Sequence, residues 1–373
     1  MQVNRRQFLS HGLGTLVALN FPNFLIRSVQ AAAPKYQDTW LLVGDNRDPE
    51  LRASDCLVAY HIASGELKVI NMAFPPHSTL QHPLRKQLFD LQKKQIIKDI
   101  KPQKNCSFYG HGTFFNNGKQ FVSIEVDERD YRGRLVIRDS STFEIQGDFD
   151  SFGIAPHECK LLPDHSTLAV ANCGFFSLRK VDEKSDYYKK ITTADSVDSS
   201  VSLIDLKTGV LKKKYRVTFK DEGVGHLAVA SSGEIVGACA SAPVTNSSNL
   251  GHVLISNEKE EMTAPDFSKS SQKIEFKGQV LSLCLNEKYE TAIATSPEAN
   301  FVTAWNYKTK QLKKKIDLNQ ALGVTITEDQ EHFLFSTNAR ELIWFNAKTL
   351  EREPELEKEF KFGDGAHLLL ATL

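Results

Sequence analysis

The sequence has no excess of charge of either sign. Among its 373 residues, Lys and Arg together number 46, and Asp and Glu also number 46, so the formal net charge is zero. Proteins that bind nucleic acid usually present a basic stripe, often interleaved with aromatic side chains. No long stripe of that kind occurs in this chain. The composition therefore argues against nucleic acid as a partner.

The chain also lacks the short motifs that mark the common catalytic and cofactor sites. It contains no G-x-S-x-G nucleophile elbow, no P-loop, no dinucleotide-binding fingerprint and no C-x-x-C-H haem attachment site. Its six cysteines have neither the spacing of a disulfide framework nor that of a zinc site. Cys159 and Cys173 flank the turn at residues 163–166, and a disulfide across that turn is one interpretation. These absences leave open whether the protein is an enzyme.

The first residues resemble a bacterial export signal. Arg5 and Arg6 precede an apolar run at residues 12–26, as in the twin-arginine signal. This run is too short and too interrupted by polar residues to form a permanent transmembrane helix. We therefore predict a signal peptide at residues 1–31 and a single domain at residues 32–373, located in the bacterial periplasm with no permanent membrane span. A buried N-terminal helix is the alternative, and the paired arginines disfavour it.

Residues 109–149 contain four short β-type runs separated by turns. The runs are rich in Val, Ile and Phe, and the turns between them contain Asn, Gly, Asp and Ser. Four antiparallel strands in about 40 residues form one blade of a β-propeller. Because one such sheet does not bury both of its faces alone, we expect further copies along the chain.

A repeated turn pattern supports this expectation. An Asp or Asn, or in one copy a His, is followed three residues later by Thr or Ser. An Asp or Asn side chain at this position accepts hydrogen bonds from the backbone just ahead of it. The spacing recurs at five positions, namely His61/Ser64, Asp139/Thr142, Asp205/Thr208, Asn306/Thr309 and Asn346/Thr349. With two weaker copies, at Asp90 and Asn257, the pattern predicts an all-β protein, a seven-bladed β-propeller of four-stranded antiparallel blades.

Two blades depart from the regular pattern. The first group has no innermost strand before Trp40, and we predict that the C-terminal strand at residues 366–372 completes this blade and closes the ring. The second group, at residues 76–100, is truncated by one strand, and a helix over residues 84–100 is the competing interpretation. A long charged insertion occupies residues 175–199, and the sequence does not indicate its role.

Histidine recurs at the start of the predicted inner strands. Five of the 11 histidines occupy this equivalent position: His77, His111, His157, His226 and His367. In a closed ring these side chains would form one arc at the mouth of the central channel. Neutral imidazole is a common metal ligand, so the arc is a candidate site for Cu, Fe or Zn. Glu125 and Glu158 are candidate oxygen ligands of the same site.

A structural role for these histidines is the alternative. In propellers of the WD type, a Gly-His pair before the inner strand serves the fold, because its imidazole bonds a turn carboxylate of the same blade. Residues 110–111 and 225–226 are such Gly-His pairs, with a carboxylate such as Asp205 as the expected partner. His157 and His367 lack the preceding glycine, so the sequence leaves both interpretations open for the arc as a whole.

The order of several short segments resembles one bacterial family. After the twin-arginine signal come F-Y-G-H-G-T-F at 108–114, G-I-A-P-H-E at 153–158, L-L-P-D at 161–164, V-A-N-C-G at 170–174 and G-H-L-A-V at 225–229. The family consists of exported seven-bladed propellers of the YVTN or quinoprotein type, without an established activity, often encoded near imelysin-type iron-regulated proteins. On this resemblance, the family's motif residues correspond to His111, Pro156, His157, Glu158, Asn172, Gly174 and His226.

Three functions are compatible with these observations. The first is a periplasmic binding or accessory protein, related to metal or iron acquisition, whose partner is another periplasmic protein or a small ligand. The second is an enzyme, either a metal-containing redox protein or a hydrolase of the lactonase kind, in which Glu158, Asn172 and Asn338 would hold a divalent cation. The third is a purely protein-binding scaffold, in which the histidines stabilise the fold.

Overall fold

The structure is a computed structural model that describes residues 36–45, 56–71, 86–90, 95–175, 197–219, 222–241, 251–266, 274–357, 365 and 367–372. Arg5, Arg6 and His77 lie outside these residues, as does most of the 175–199 insertion. Within the described part, the only helices are two 3-10 turns, Pro297–Ala299 and Pro354–Leu356, and every other regular element is a β-strand. The all-β prediction is confirmed.

The N-terminal and C-terminal strands share one sheet. Sheet A contains β1 (Thr39–Asp45), β2 (Cys56–His61), β3 (Leu67–Asn71) and β26 (Leu368–Thr372), in the order β26-β1-β2-β3. Strands β1 and β26 are antiparallel, with Leu42 opposite Leu369. The C-terminal strand therefore supplies the strand that is missing before Trp40, as predicted from the sequence.

The second group is a hairpin in the described residues. Sheet B consists of β4 (Lys86–Asp90) and β5 (Gln95–Ile100), paired antiparallel with Lys86 opposite Ile100. The helix considered for residues 84–100 is therefore wrong. The β-branched pair Ile96-Ile97 favours a strand, and this preference prevails over the helical spacing of the leucines.

Sheet C has an inner edge made of two short strands. It contains β6 (Cys106–Phe108), β7 (Thr113–Phe115), β8 (Gln120–Asp127), β9 (Arg132–Asp139) and β10 (Ile145–Ile154). Both β6 and β7 pair with β8. The segment between them, residues 109–112, leaves the ladder and carries His111.

The next two groups are joined at their outer strands. Sheet D contains β11 (Pro156–Leu161), β12 (Thr167–Asn172), β13 (Ser200–Asp205) and β14 (Leu211–Val217). Sheet E contains β15 (Glu222–Val229), β16 (Ile235–Ser241), β17 (Val253–Ser256) and β18 (Glu261–Thr263). Strands β14 and β18 pair in parallel at Arg216 and Glu261, so the two groups form one eight-stranded sheet. The sequence did not predict this join.

The remaining strands form two further antiparallel sheets. Sheet F contains β19 (Ser282–Asn286), β20 (Thr291–Ser296), β21 (Phe301–Asn306) and β22 (Gln311–Asp317). Sheet G contains β23 (Ala321–Ile326), β24 (His332–Thr337) and β25 (Leu342–Asn346).

The repeated turn has the hydrogen bonds that its sequence predicts. Asp139 Oδ1 accepts hydrogen bonds from the backbone N–H groups of Ser141 and Thr142, both at 2.9 Å. Equivalent pairs of bonds are made by Asp205, Asn306 and Asn346. The residue after each Thr has a positive φ, and it is glycine only at Gly209 among these four turns. The Asp139, Asp205 and Asn306 turns are thus tight connections between the two outer strands of their sheets, and the Asn346 turn leads from β25 to an isolated bridge between Phe345 and Arg352.

Apolar side chains pack sheets B to G on one another in chain order. The shared clusters join sheets B and C (Ile100, Phe108), C and D (Ile124, Leu168), D and E (Val201, Leu254), E and F (Val253, Trp305), and F and G (Ile293, Phe333). A further cluster joins sheet G to sheet A through Leu334 and Leu41. Each such buried side chain contributes roughly 1.5–3 kcal/mol. The last sheet thus packs on the first, as face-to-face blades do.

The strand pairing also decides whether Cys159 and Cys173 are bonded to each other. Cys159 lies opposite Val170 in the β11–β12 ladder, and its thiol donates to the carbonyl oxygen of His111 at 3.4 Å. The strand register therefore directs Cys159 away from Cys173, and the two do not form a disulfide. Among the described residues, no helix is long and apolar enough to cross a lipid bilayer.

Candidate metal centre

Four of the five predicted histidines come together. His111 lies between β6 and β7, His157 in β11, His226 in β15, and His367 immediately before β26. The ring centroids of His111 and His226 lie 4.9 Å from that of His367, and the His157 centroid lies 4.9 Å from that of His226. Residues from sheets A, C, D and E thus meet at one place. His77 lies outside the described residues.

Three of these imidazoles converge closely enough to bind one ion. His111, His226 and His367 each offer one ligand nitrogen, and these three atoms lie within 4.8 Å of one another. A tetrahedral zinc ion with bonds of about 2.0–2.1 Å requires ligand nitrogens roughly 3.4 Å apart. Small rotations of the half-buried rings would close this difference. His157 flanks the group, with its ring centroid 5.3 Å from that of His111.

Bulges in two inner strands aim the histidines. In β11 the pairing with β12 shifts between Pro156 and Glu158, so His157 lies at the bulge. In β15 the pairing with β16 shifts between Val224 and His226. A β-bulge turns side chains away from the regular alternation, and bulges often occur next to functional sites.

Gly110 allows sheet C to approach sheet D beside the histidines. The backbone N–H of His111 donates to the carbonyl oxygen of His157 at 2.7 Å. A Cβ atom at position 110 would lie 2.2 Å from the same oxygen, which no real side chain tolerates. The glycine before His111 is therefore required by this close approach.

The electrostatics of the cluster favour neutral imidazole at one position. Burial, reinforced by the neighbouring His226, lowers the pKa of His367 to about 3. The neutral ring is the form that binds metal ions. His367 is therefore in the ligand form at neutral pH without any proton having to be displaced.

Glu158 contacts the cluster from sheet D, through His226. Its Oε2 accepts a hydrogen bond from the Leu227 N–H at 2.8 Å and lies 3.3 Å from His226 Nδ1. Its Oε1 forms an ion pair with Lys160 Nζ at 2.8 Å. Burial opposes ionisation, but the hydrogen bond with His226 and the charge of Lys160 outweigh it and hold the pKa of Glu158 well below its usual value. Both oxygens are engaged, so the prediction that Glu158 is itself an oxygen ligand does not fit.

Glu125 serves a buried ion pair rather than the candidate metal centre. Its Oε1 accepts from Arg138 Nη2 at 2.6 Å and from Ser123 Oγ at 2.8 Å, and its Oε2 accepts from the Gln103 N–H at 2.7 Å. A fully buried carboxylate needs such partners to offset its lost hydration. The prediction of Glu125 as a metal ligand is therefore corrected.

The amides named for a lactonase-like cation site have other partners. Asn172 is fully buried, accepts a hydrogen bond from Ser151 Oγ at 2.9 Å and donates one to Ser202 Oγ at 3.1 Å. The Asn338 side chain is exposed and donates to Gln320 Oε1 at 2.8 Å. These contacts hold loops and strands together, and they do not support a cation site built from these residues.

The Gly-His pair at residues 225–226 does not make the same-blade contact that a structural role was expected to require. The carboxylate beside His226 is Glu158 of the neighbouring sheet D, whereas the turn residue of its own sheet E, Asn257, accepts hydrogen bonds from the N–H groups of Lys259 and Glu261. The WD-type arrangement, in which the partner belongs to the same blade, therefore does not apply to His226.

A second histidine–carboxylate pair was not found by sequence reasoning. His252 Nδ1 lies 2.6 Å from Glu222 Oε1, and the Phe219 ring stacks on the imidazole with centroids 4.2 Å apart. Glu222 begins β15, whereas His252 lies immediately before β17, and nothing in their sequence surroundings links them. Only the fold shows that they meet.

The sequence is similar to one family of proteins over most of its length. The family described as "Protein of unknown function (DUF1513)" matches residues 84–365, which is most of the chain. The chain belongs to the DUF1513 family. The matched range includes His111, His157 and His226. No curated protein matches the sequence.

Two solved structures resemble this DUF1513 protein. Kuenenia stuttgartiensis hydrazine synthase is 12% identical, with a TM-score of 0.54, and the similarity covers 79% of this chain and 93% of that chain. A Myceliophteria thermophila Cps50 (Swd1) β-propeller domain is 13% identical, with a TM-score of 0.41 and coverage of 64% and 65%. At such low identity the first similarity concerns the fold alone. The successive antiparallel sheets of this DUF1513 protein, with the last packed on the first, form a propeller-like fold.

Proposed function

We propose that this DUF1513 protein is a metal-binding accessory protein of the bacterial periplasm. The observation that carries the proposal is the convergence of His111, His226 and His367, whose ligand atoms lie within 4.8 Å of one another. Three histidines on three different sheets meet at one point, and the neutral form of His367 suits metal binding.

The proposal also covers the number of blades and the position of the histidines in the ring. The strand groups are the seven blades of one ring, the second blade being truncated, and the histidines lie at the mouth of the central channel. Its support is the packing of successive sheets and the cluster between sheets G and A. The export signal at Arg5 and Arg6 would deliver the protein to the periplasm.

The donor set favours a first-row transition ion. Imidazole suits Zn, Cu and Fe, and affinity for divalent ions at a nitrogen site rises toward Cu(II). Three protein ligands leave a fourth position for water or a donor from a partner. Such an open position suits an accessory protein that accepts and releases an ion. It also keeps a metal-dependent redox enzyme as the second candidate.

Metal titration calorimetry with matched histidine variants tests the proposal. The wild type should bind one equivalent of Zn²⁺ or Cu²⁺, and His111→Asn, His226→Asn and His367→Asn should each lose most of the affinity. His165→Asn is the control, because His165 is exposed, lies in a turn outside the cluster, and has a positive φ that asparagine tolerates. A wild type that binds no Zn²⁺, Cu²⁺ or Fe²⁺ would leave the histidines a structural role and favour the scaffold.

A further inference from the structure

The contact between Glu158 and His226 crosses from one sheet to the next. Glu158 belongs to β11 of sheet D, and His226 belongs to β15 of sheet E. Glu158 Oε2 holds the strand of His226 directly, through the Leu227 N–H at 2.8 Å, and lies 3.3 Å from His226 Nδ1. The carboxylate therefore contacts both the backbone and the ring of the same short segment.

The other end of the carboxylate is also fixed. Its Oε1 pairs with Lys160 Nζ at 2.8 Å, and Lys160 lies two residues further along the same strand. Because both oxygens have partners, the Glu158 side chain has little freedom to rotate. A rigid carboxylate fixes the orientation of the imidazole that it contacts.

The chemistry of this contact selects one ligand atom. An ionised carboxylate accepts hydrogen bonds and donates none, so the nitrogen that faces it, His226 Nδ1, carries the proton. In a neutral imidazole the other nitrogen, Nε2, then has the free lone pair. The Nε2 atom of His226 is therefore the one presented to an ion.

We propose that Glu158 is the positioning residue of the histidine cluster, fixing the tautomer and the orientation of His226 so that Nε2 binds the metal ion. This inference rests on the proposed metal site and adds a role for a residue that does not touch the ion. Carboxylates that accept a hydrogen bond from a metal-binding histidine raise its basicity, and their substitution typically lowers metal affinity by about 10- to 100-fold.

A matched control exists in the same protein. Glu222 contacts His252 Nδ1 at 2.6 Å, so it is also a buried carboxylate paired with an imidazole. This pair is not part of the converging histidine group. Glu222→Gln therefore reproduces the chemical change of Glu158→Gln at a place where no effect on the metal is expected.

The experiment combines metal affinity with two spectroscopic signatures. Wild type, Glu158→Gln and Glu222→Gln are titrated with Cu²⁺, and the Cu(II) electron paramagnetic resonance spectrum of each complex is recorded. Selective ¹⁵N labelling of histidine assigns the His226 tautomer in the metal-free proteins, with His226→Asn identifying the signal. Thermal unfolding of the metal-free proteins checks that the variants fold.

The Glu158 and Glu222 variants should differ in copper affinity and in the copper spectrum. Glu158→Gln should bind Cu²⁺ about 10- to 100-fold more weakly, with altered copper hyperfine splitting, whereas Glu222→Gln should match the wild type in both. The metal-free wild type should show the Nδ1–H tautomer at His226. A folded Glu158→Gln with wild-type affinity and spectrum would overturn the role of Glu158 alone. A wild type without a copper complex would overturn the metal site as well.

Discussion

Arg138 and Glu125 form an ion pair that is buried inside sheet C. Arg138 Nη2 lies 2.6 Å from Glu125 Oε1, and the two side chains are only 3% and 0% exposed. Arg138 also donates to Ser123 Oγ and to the carbonyl oxygen of Lys101. The pair thus links neighbouring strands β8 and β9 to the segment before β6.

Removing one member of this pair should destabilise the protein strongly. Glu125→Ala leaves the Arg138 guanidinium buried without its counter-charge, and such losses cost about 3–5 kcal/mol of unfolding free energy. Urea denaturation monitored by tryptophan fluorescence measures the effect. The double variant Glu125→Leu/Arg138→Met should recover much of the loss, because no isolated charge remains. If the double variant is as unstable as the single one, the uncompensated charge is not the cause.

The Gly110→Ala substitution should weaken metal binding. Its new Cβ would collide with the His157 carbonyl oxygen, breaking the 2.7 Å hydrogen bond from the His111 N–H and displacing His111. We expect a loss of about tenfold or more in Zn²⁺ affinity, as for other substitutions that disturb a supporting contact. Gly147→Ala is the control, because a Cβ at that position meets nothing within 4 Å. Equal affinities for the two variants would contradict the structural requirement at position 110.

The turn carboxylate of Asp164 should make stability depend on acidic pH. Burial opposes its ionisation, but hydrogen bonds from the Thr167 hydroxyl and from the Ser166 and Thr167 N–H groups outweigh it and lower its pKa to about 2. An unfolded Asp has a pKa of about 3.9, so this stabilisation is complete above pH about 4 and is lost as pH falls through about 2. Asp164→Asn should cost about 1 kcal/mol at pH 7, a modest value because the carboxylate is half exposed.

Denaturant midpoints of wild type and Asp164→Asn between pH 7 and pH 2 provide the measurement. The difference in stability between the two proteins should shrink as the pH falls. Protonation removes the negative charge of Asp164 from the wild type, and the variant already lacks this charge. A stability difference that stays constant down to pH 2 would show that the charge of Asp164 does not contribute to the free energy of unfolding.

The proposed export depends on the two arginines near the N-terminus. The Arg5→Lys/Arg6→Lys double variant should remain in the cytoplasm of a bacterial host, whereas the wild type should be recovered from the periplasm. Cell fractionation followed by immunoblotting measures the distribution. Periplasmic recovery of the double variant would contradict the twin-arginine interpretation.

Local patterns were sufficient to predict much of the fold. The Asp139 and Asn306 turns were predicted because the side chain that makes the turn and the N–H groups that it accepts from lie within three residues. The pairing of the C-terminal strand with the first strand was predicted because no inner strand precedes Trp40. The histidines were identified because each was predicted to begin an inner strand, although His226 lies in the middle of β15 and His111 lies between β6 and β7.

The remaining features depend on distances between sheets, which the sequence does not contain. Glu158 was predicted to act beside His157, but the neighbouring sheet brings it to His226. Glu125 was also predicted as an oxygen ligand, whereas Arg138 lies in the same interior and forms an ion pair with it. The bulges that aim the histidines also have no clear sequence signal, since the strands on either side of them look regular.

X-ray absorption spectroscopy of the metal-loaded protein tests the central claim most directly. After loading with one equivalent of Zn²⁺ and removal of the excess ion, the extended fine structure reports the ligand type and distance. The account predicts nitrogen or oxygen neighbours at about 2.0–2.1 Å, with imidazole scattering that corresponds to three histidines. The His226→Asn variant should lose most of its zinc, and the zinc that remains should show the scattering of two histidines. A spectrum without imidazole scattering, or one that is unchanged in His226→Asn, would contradict the metal site.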